Sequence, residues 1–139
     1  EGLACEQQTP ILYANRLFAV LPKDAGAERT QFVCANRDGS IVWTSGPEHR
    51  FGLGPFFLVG DKFLILDDDG VLTLAQASTA HFQFLARAKV LDGVDSWGPF
   101  ALAGTRLILR DSKRMICLEL GKPASKTIAS PPSSGSRIL

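Results

Sequence analysis

Two short polar connecting stretches carry the side chains best suited to bind a ligand. The first holds His49 and Arg50, and the second holds Asp95 and Trp97. An imidazole, a guanidinium, a carboxylate and an indole together suit a polar ligand or a peptide. We expect these four side chains to converge on one face of the fold. The competing interpretation is that they form ion pairs and pack between neighbouring elements.

A run of three aspartates at 67–69 is followed by Gly70 and invites a calcium interpretation. Hard cations prefer clustered carboxylates, but the EF-hand loop places its ligands at alternate positions and ends with a glutamate. Consecutive aspartates before a glycine are typical of a tight turn. Ser96 does not stand in the G-x-S-x-G setting of a nucleophile elbow. The sequence therefore predicts no catalytic residue, no metal site and no cofactor.

The charge balance argues against two classes of partner. The chain has 15 basic and 14 acidic residues, with neither sign gathered in a long block. Nucleic-acid binders usually carry a basic stripe, because phosphate neutralisation supplies most of their affinity. The longest apolar runs are far shorter than the roughly 20 residues that cross a bilayer as a helix. We expect no nucleic-acid binding and no membrane-spanning segment.

An internal repeat predicts the elements that must position these residues. Residues 54–66 are echoed by 98–109 at a spacing of 44 residues, and a fainter copy lies at 9–18. A period in the forties with short strands and glycine-marked turns is typical of a β-propeller, in which each repeat is one four-stranded blade. The sequence predicts an all-β fold, a partial β-propeller of antiparallel sheets with two full blades plus part of a third.

The same spacing sets the predicted boundaries. Residues 71–74 and 115–118 lie at the same distance from the start of their respective repeats. We therefore expect them to occupy the same position in successive blades. After residue 121 the chain is rich in proline and serine, which favours a flexible tail outside any core. The predicted division is an N-terminal extension at 1–9, blade one at 10–54, blade two at 55–98, partial blade three at 99–121 and the tail at 122–139.

Two segments, 63–66 and 107–109, are apolar at successive positions. A strand that is apolar on both faces must be covered on both, as stacked blades would do. Closed propellers have about four to eight blades. We therefore expect the chain to be the C-terminal part of a longer protein or to be completed by other chains.

We expect open surfaces at both ends of the array. The third repeat ends one strand short, so its last strand at 115–120 should leave backbone groups unpaired, and the first blade should lack a covering neighbour. Exposed strand edges recruit partners. The isolated chain should then self-associate through these surfaces or be poorly stable as a monomer.

One stretch carries a family resemblance. Residues 34–43 contain Gly39 and Trp43 at Gly-x-x-x-Trp spacing, and Gly-Pro pairs ending in Pro55 and Pro99 open the next two repeats. The chain resembles the C-terminal blades of pyrroloquinoline-quinone-like (quinoprotein-type) β-propeller repeat proteins, and is similar to the bacterial outer-membrane assembly propeller lipoprotein group. The resemblance implies that Trp43 docks between neighbouring blades, with Gly39, Pro55 and Pro99 in supporting structural roles.

Repeats without a catalytic constellation, together with the near-neutral charge, favour a non-catalytic repeat scaffold that mediates protein–protein interaction. Its binding partner would be a protein or the missing blades. The resemblance places the protein in the periplasm, in the cell envelope or outside the cell, with a cytoplasmic location left open. Two alternatives remain: a fragment of a quinone-dependent dehydrogenase using pyrroloquinoline quinone and calcium, and a glycan- or peptide-binding module that uses the inter-blade loops.

Overall fold

The computed structural model describes residue 3 and residues 6–121. In this part of the chain 45% of residues lie in strands and 3% in helix, and the strands form three antiparallel sheets. The prediction of an all-β fold is confirmed. The predicted tail at 122–139 lies outside the described residues.

Sheet A is a meander whose strands pair in chain order. Its first two strands are joined through Ala14 and Asn15, both with positive φ, and its last turn contains Gly39 at φ 89°. Gly39 donates its N–H to the Asn36 carbonyl at 3.0 Å, so a glycine serves the turn that the sequence assigns to it. The strands are β1 (Ile11–Tyr13), β2 (Arg16–Val20), β3 (Phe32–Ala35) and β4 (Ile41–Thr44).

Sheets B and C repeat the meander further along the chain. Sheet B pairs four strands in chain order, and sheet C pairs three. Two sheets of four strands and one of three agree with two full blades and part of a third. The strands of sheet B are β5 (Phe56–Val59), β6 (Lys62–Leu66), β7 (Val71–Gln76) and β8 (Gln83–Lys89), and those of sheet C are β9 (Ala101–Ala103), β10 (Arg106–Arg110) and β11 (Met115–Glu119).

Sheet B is packed between the other two sheets. We call the side of a sheet that points toward the next sheet along the chain its forward face, and the opposite side its back face. On β6, Phe63 and Ile65 belong to the core shared with sheet A, whereas Leu64 and Leu66 belong to the core shared with sheet C. All four side chains are buried. The prediction that 63–66 is covered on both faces is confirmed.

The same prediction is wrong for 107–109. Leu107 and Leu109 are buried against sheet B, but Ile108 between them is 38% exposed. Sheet C is the last sheet of the described residues, so its forward face has no sheet to cover it. A run of apolar residues thus does not reveal by itself whether both faces have a neighbour.

The two seams between sheets differ in composition. The seam between sheets A and B is aromatic: Phe32 and Phe63 have ring centroids 5.0 Å apart, and Phe18 and Phe63 have theirs 4.8 Å apart. The seam between sheets B and C is mainly aliphatic, centred on Leu64, Leu107 and neighbouring leucines. Both seams remove apolar side chains from water, which is the main stabilising contribution to such an array.

The register of the last hairpin corrects the predicted equivalence of 71–74 and 115–118. In sheet B, Leu66 lies opposite Leu72, whereas in sheet C the equivalent Arg110 lies opposite Met115. The connection in sheet C is one residue shorter, so every side chain of β11 is displaced by one position. Because a shift of one residue exchanges the two faces of a strand, Cys117 takes the place of Leu74 rather than that of Thr73.

A residue of the N-terminal extension covers part of the back face of sheet A. Leu3 packs, together with Ala25, against a buried cluster of Ala19, Leu21 and Val33. The cover is partial, since Leu12 on the same face is 57% exposed and no neighbouring sheet of the described residues lies against it. Leu3 thus contributes to the packing of sheet A.

The N-terminal extension also reaches sheet B. The side-chain amide of Gln8 donates to the carbonyl of Phe56 and accepts the Phe56 N–H at 2.9 Å. It thus pairs with the backbone at the free edge of β5 as a neighbouring strand would. This contact ties the start of the chain to the second sheet.

The open edge predicted for 115–120 is present: among the described residues, β11 pairs only with β10. Self-association through this edge stays a prediction. The described part of the chain contains no helix with the length and apolar character needed to cross a membrane.

Candidate functional site

The connection between sheets A and B places His49 and Arg50 at the seam between those sheets. Ser45 fixes the shape of this loop, because its Oγ donates to the His49 carbonyl at 2.7 Å and accepts the Phe32 N–H at 3.0 Å. Ser45 is buried, so these bonds satisfy a hydroxyl that has little access to water. The loop turns tightly here, with the His49 N–H donated to the Gly46 carbonyl at 3.2 Å.

His49 packs against aromatic residues of sheet B. Its ring stacks on Phe84 with centroids 5.4 Å apart and an interplanar angle of 20°, and it contacts Phe82 at 5.1 Å. The imidazole is half-buried. These contacts are the packing between elements that the competing interpretation of the connectors described.

Arg50 is held by the long loop of sheet A. Its guanidinium donates to the carbonyl of Ala27 at 3.1 Å and to the carbonyl of Arg29. Its backbone forms an isolated antiparallel bridge with Gln31. Arg50 therefore closes the long loop of sheet A over the seam, and its charge lies at the wall of a cleft.

The acidic turn after β6 forms the opposite wall of that cleft. The Asp67 carboxylate accepts the Val71 N–H at 2.9 Å, as a turn residue does. The Asp68 carboxylate accepts the Leu53 N–H at 2.8 Å and lies 3.5 Å from the ammonium of Lys23. These aspartates bind the backbone of their own turn and of the connector, in agreement with the turn interpretation.

Asp67 has an unusual ionisation. Burial raises the pKa of its carboxyl above the usual value, and the neighbouring charges of Asp69 and Asp68 raise it further, while the Val71 N–H opposes the shift. Its charged form is thus disfavoured, in a cleft that Arg50 also lines. Among the described residues, no group of three or more histidine, cysteine or acidic side chains is arranged to hold a metal ion.

Two adjoining clefts lie along this seam, and we refer to them together as the A–B cleft. One, of about 450 Å³, is lined by Lys23 and Arg29 as well as the acidic turn. The other, of about 230 Å³, is lined by His49 and Arg87 as well as that turn. Both include Arg50. Cations and carboxylates face each other here in similar numbers, an arrangement suited to a polar, zwitterionic or peptide-like ligand.

The second connector lies at a different seam. Its Val94 carbonyl accepts the Ser112 N–H at 3.0 Å, and the Asp92 carboxylate lies 3.1 Å from the Arg114 guanidinium, so it is bound to sheet C. Asp95 is exposed with φ 52°, and Trp97 is 37% exposed.

His49 and Arg50 thus share a cleft with the acidic turn, whereas neither part of the A–B cleft is lined by Asp95 or Trp97. Each connector crosses one seam, so its side chains serve that seam. The expected convergence of all four is not seen. A ligand-binding role for any of them stays a prediction.

The residues to which the resemblance assigns structural roles lie in different settings. Trp43 on β4 reaches across to Phe82 with ring centroids 6.0 Å apart, as expected of a residue that docks on the neighbouring sheet. It is half-buried, and its indole Nε1 is buried without a hydrogen-bond partner among the described residues. Pro55 is buried at the start of sheet B, where its carbonyl accepts the Leu66 N–H at 3.0 Å, whereas Pro99 is exposed.

One further feature escapes the sequence argument. An apolar groove of about 370 Å³ crosses the forward face of sheet B beside the end of β11. We call it the forward groove. The missing strand of the third repeat was a signal that could have located it, because a sheet one strand short leaves part of its neighbour uncovered. Its apolar lining includes Val59, Leu64, Leu72, Leu74, Ala86 and Leu120.

A scan of protein-family models and a search of curated proteins each found no match to the chain.

Proposed function

We propose that this chain is a non-catalytic β-propeller repeat scaffold that holds a protein partner on its third sheet. Sheet A packs on sheet B and is covered in part by Leu3 on its other face, and sheet B lies between its two neighbours. Sheet C has no sheet against its forward face in the described part of the chain, its last strand pairs on one side only, and it carries the most exposed large apolar side chain, Met115.

The observation that carries this proposal is the forward face of sheet C. Met115 is 69% exposed there and Ile108 38%, and both are large apolar side chains. Arg106 and Glu119 lie at the end of the same face with their charged groups 3.7 Å apart. An apolar centre bounded by charged residues is the usual composition of a protein-binding surface.

The family and the location belong to the same proposal. The Gly39 and Trp43 spacing supports a quinoprotein-type propeller, and the docking of Trp43 on the neighbouring sheet is what that resemblance implies. We propose an extracytoplasmic bacterial setting on the same resemblance.

Site-specific photo-crosslinking in cells tests the proposed function. A benzophenone amino acid replaces Met115 in one variant and, as the matched control, replaces Leu12, which is 57% exposed on sheet A. We expect a discrete adduct with one protein from position 115 and none from position 12. The absence of any adduct at position 115, or the same adducts from both positions, would contradict the proposal. So would oxidation of alcohols or sugars by the protein supplied with quinone and calcium.

A further inference from the structure

The smaller part of the A–B cleft has sheet B as its floor. Thr73 lies opposite Ile65, whose side chain belongs to the core shared with sheet A, and Arg87 lies opposite Thr73. Directly opposite residues of an antiparallel pair share a face, so the side chains of Thr73 and Arg87 both point toward sheet A. Both residues line this part of the cleft, which has a volume of about 230 Å³.

The Thr73 hydroxyl is a polar group of this floor that the protein leaves without a partner. Thr73 is only 4% exposed, and its hydroxyl forms no hydrogen bond with the described residues. Buried hydroxyls normally have a partner, because an unpaired one loses free energy relative to water. A hydroxyl can donate one hydrogen bond and accept others. A polar atom that enters the cleft therefore supplies the missing partner.

Several charged side chains of the cleft are already bound to the protein. Lys23 pairs with the Asp68 carboxylate at 3.5 Å, and the guanidinium of Arg50 donates to two backbone carbonyls of the long loop of sheet A. The Asp67 carboxylate accepts the Val71 N–H at 2.9 Å. These groups hold the walls of the cleft in place and have less capacity left for a ligand.

Three charged side chains of the same part of the cleft are still available. Glu48, Asp69 and Arg87 are exposed, and their side chains form no hydrogen bond or ion pair with the described residues. The guanidinium of Arg87 offers a planar set of donors that suits a carboxylate. The two free carboxylates suit an ammonium, which has three N–H donors. The available groups therefore match a ligand that carries one negative and one positive group.

A ligand with a single sign of charge fits this arrangement poorly. An anion beside Arg87 is repelled by the carboxylates of Glu48 and Asp69, and a cation beside these carboxylates is repelled by Arg87. A zwitterion places each of its charges beside the opposite one. The volume of this part of the cleft lies below the roughly 300–1,000 Å³ of pockets that hold drug-sized ligands, so the zwitterion is small.

We propose that the A–B cleft binds a small zwitterion of the amino-acid or dipeptide class. The carboxylate of the ligand pairs with Arg87, and its ammonium is held by Glu48 and Asp69. The Thr73 hydroxyl adds a hydrogen bond from the floor, and the buried ring of Phe51 contacts the aliphatic portion of the ligand. This site lies at the seam between sheets A and B, so it is independent of the partner surface proposed on sheet C.

Isothermal titration calorimetry with the full chain tests the class of ligand. The probes are alanyl-alanine and each of the standard amino acids, and the tightest of them is compared with its N-acetylated and its carboxyl-amidated forms. Acetylation removes the positive charge of the probe, and amidation removes the negative one. We expect saturable binding of the zwitterion, and binding weaker by about tenfold or more for both capped forms.

Variants of the protein locate the ligand within the cleft. Arg87→Gln removes the guanidinium, Asp69→Asn removes one carboxylate charge, and Thr73→Val removes a hydroxyl while keeping a β-branched side chain that suits a strand. We expect affinity to fall by about tenfold or more with Arg87→Gln and by about threefold to tenfold with each of the other two. Circular dichroism reports whether each variant is folded.

Arg37→Gln is the matched control. Arg37 is also an exposed arginine, but it lies in the turn between β3 and β4 and lines neither part of the A–B cleft. We expect this variant to bind the zwitterion as the wild type does. An equal loss of affinity with Arg37→Gln and Arg87→Gln would mean that the net charge of the surface, and not the cleft, attracts the probe.

The other outcomes overturn the inference. Absence of binding by every probe at millimolar concentration excludes a zwitterion site. Undiminished binding of the acetylated form indicates an anion site instead, and undiminished binding of the amidated form a cation site. Unchanged affinity in Arg87→Gln places the ligand outside the cleft. Crosslinking from position 115 reports on a different surface, so the scaffold function stands or fails separately.

Discussion

The forward faces of sheets B and C are built from strands at equivalent positions but have different composition. Where β6 has Leu64 and Leu66, β10 has Ile108 and Arg110, since the turns that precede these two strands have the same register. The two leucines are buried, and the isoleucine is 38% exposed. The forward face of sheet B is thus apolar and buried here, whereas that of sheet C combines an apolar and a charged residue.

The remaining strands show the same difference. Opposite β6, Leu72 and Leu74 face sheet C, whereas on β11 these places are taken by Met115 and Cys117. On the first strand of each sheet, Phe57 of sheet B corresponds to an alanine in sheet C. Large apolar side chains are found where a neighbouring sheet buries them, because burial supplies about 25 cal/mol per Å² of apolar surface. The forward face of sheet C is suited to a contact weaker than the internal seams.

The sharpest test of this comparison uses adjacent residues of β10. Leu107→Ala removes a buried side chain at the seam with sheet B and should reduce the free energy of unfolding by about 2–5 kcal/mol. Ile108→Ala changes the open face and should reduce it by no more than about 1 kcal/mol. Urea denaturation measures both. A similar loss for the two variants would mean that the forward face of sheet C is buried in solution.

The connectors into the two sheets also differ. Equivalent positions, 44 residues apart, are held by Gly52 in the first connector and by Ser96 in the second. Gly52 has φ 62°, and a Cβ added to it would lie 2.2 Å from the carboxylate carbon of Asp68. Ser96 carries a side chain that is fully buried. Gly52→Ala should reduce stability by about 1–3 kcal/mol. Gly60→Ala is the control, since its φ is 61° in open space and its loss should be about 1 kcal/mol. Equal losses would show that the Asp68 contact yields without strain.

Two aspartates 44 residues apart, Asp67 and Asp111, should make contributions to the free energy of unfolding that change with pH in opposite directions. Burial raises the pKa of Asp67, while the backbone N–H groups of Lys113 and Arg114 lower the pKa of Asp111. An unfolded aspartate titrates near pH 3.9. Relative to Asp67→Asn, the wild type should lose stability as pH rises from about 4 through the raised pKa of Asp67, because the unfolded chain releases its proton first.

Relative to Asp111→Asn, the wild type should be more stable above about pH 4 and lose that advantage as pH falls through the lowered pKa of Asp111. Asparagine keeps a carbonyl oxygen for the same N–H groups in both variants, so the comparison isolates the charge. Denaturation between about pH 3 and pH 8 measures these slopes. If the difference in unfolding free energy between wild type and variant changed with pH in the same direction for Asp67→Asn and Asp111→Asn, the opposite environments of the two aspartates would be contradicted.

The smallest effect is expected on the open face itself. Met115→Lys places a charge on a side chain that is 69% exposed and should change the free energy of unfolding by about 0.5 kcal/mol or less. The same variant should lose the partner detected by crosslinking from a benzophenone at position 108. A large loss of stability with no effect on the partner would place Met115 in an internal contact instead.

The sequence by itself determined the local structure. Strand pairs, glycine turns and the repeat follow from short-range patterns, because pleat alternation and turn geometry are set by a few neighbouring residues. The consecutive apolar residues of 63–66 predicted a strand covered on both faces, and the structure confirms this. The turn role of 67–69 was likewise readable, since carboxylate-to-backbone bonds form within four residues.

Tertiary structure alone decided which side chains meet. The one-residue difference in the hairpin before β11 placed Cys117 on an open face, and no local pattern announces that register. Long-range packing placed His49 and Arg50 in a cleft that Asp95 and Trp97 do not line, and brought Leu3 onto part of the back face of sheet A. Such contacts join residues that are distant in the chain. They depend on how all apolar surfaces compete for burial, and the pattern of one segment carries no information about that competition.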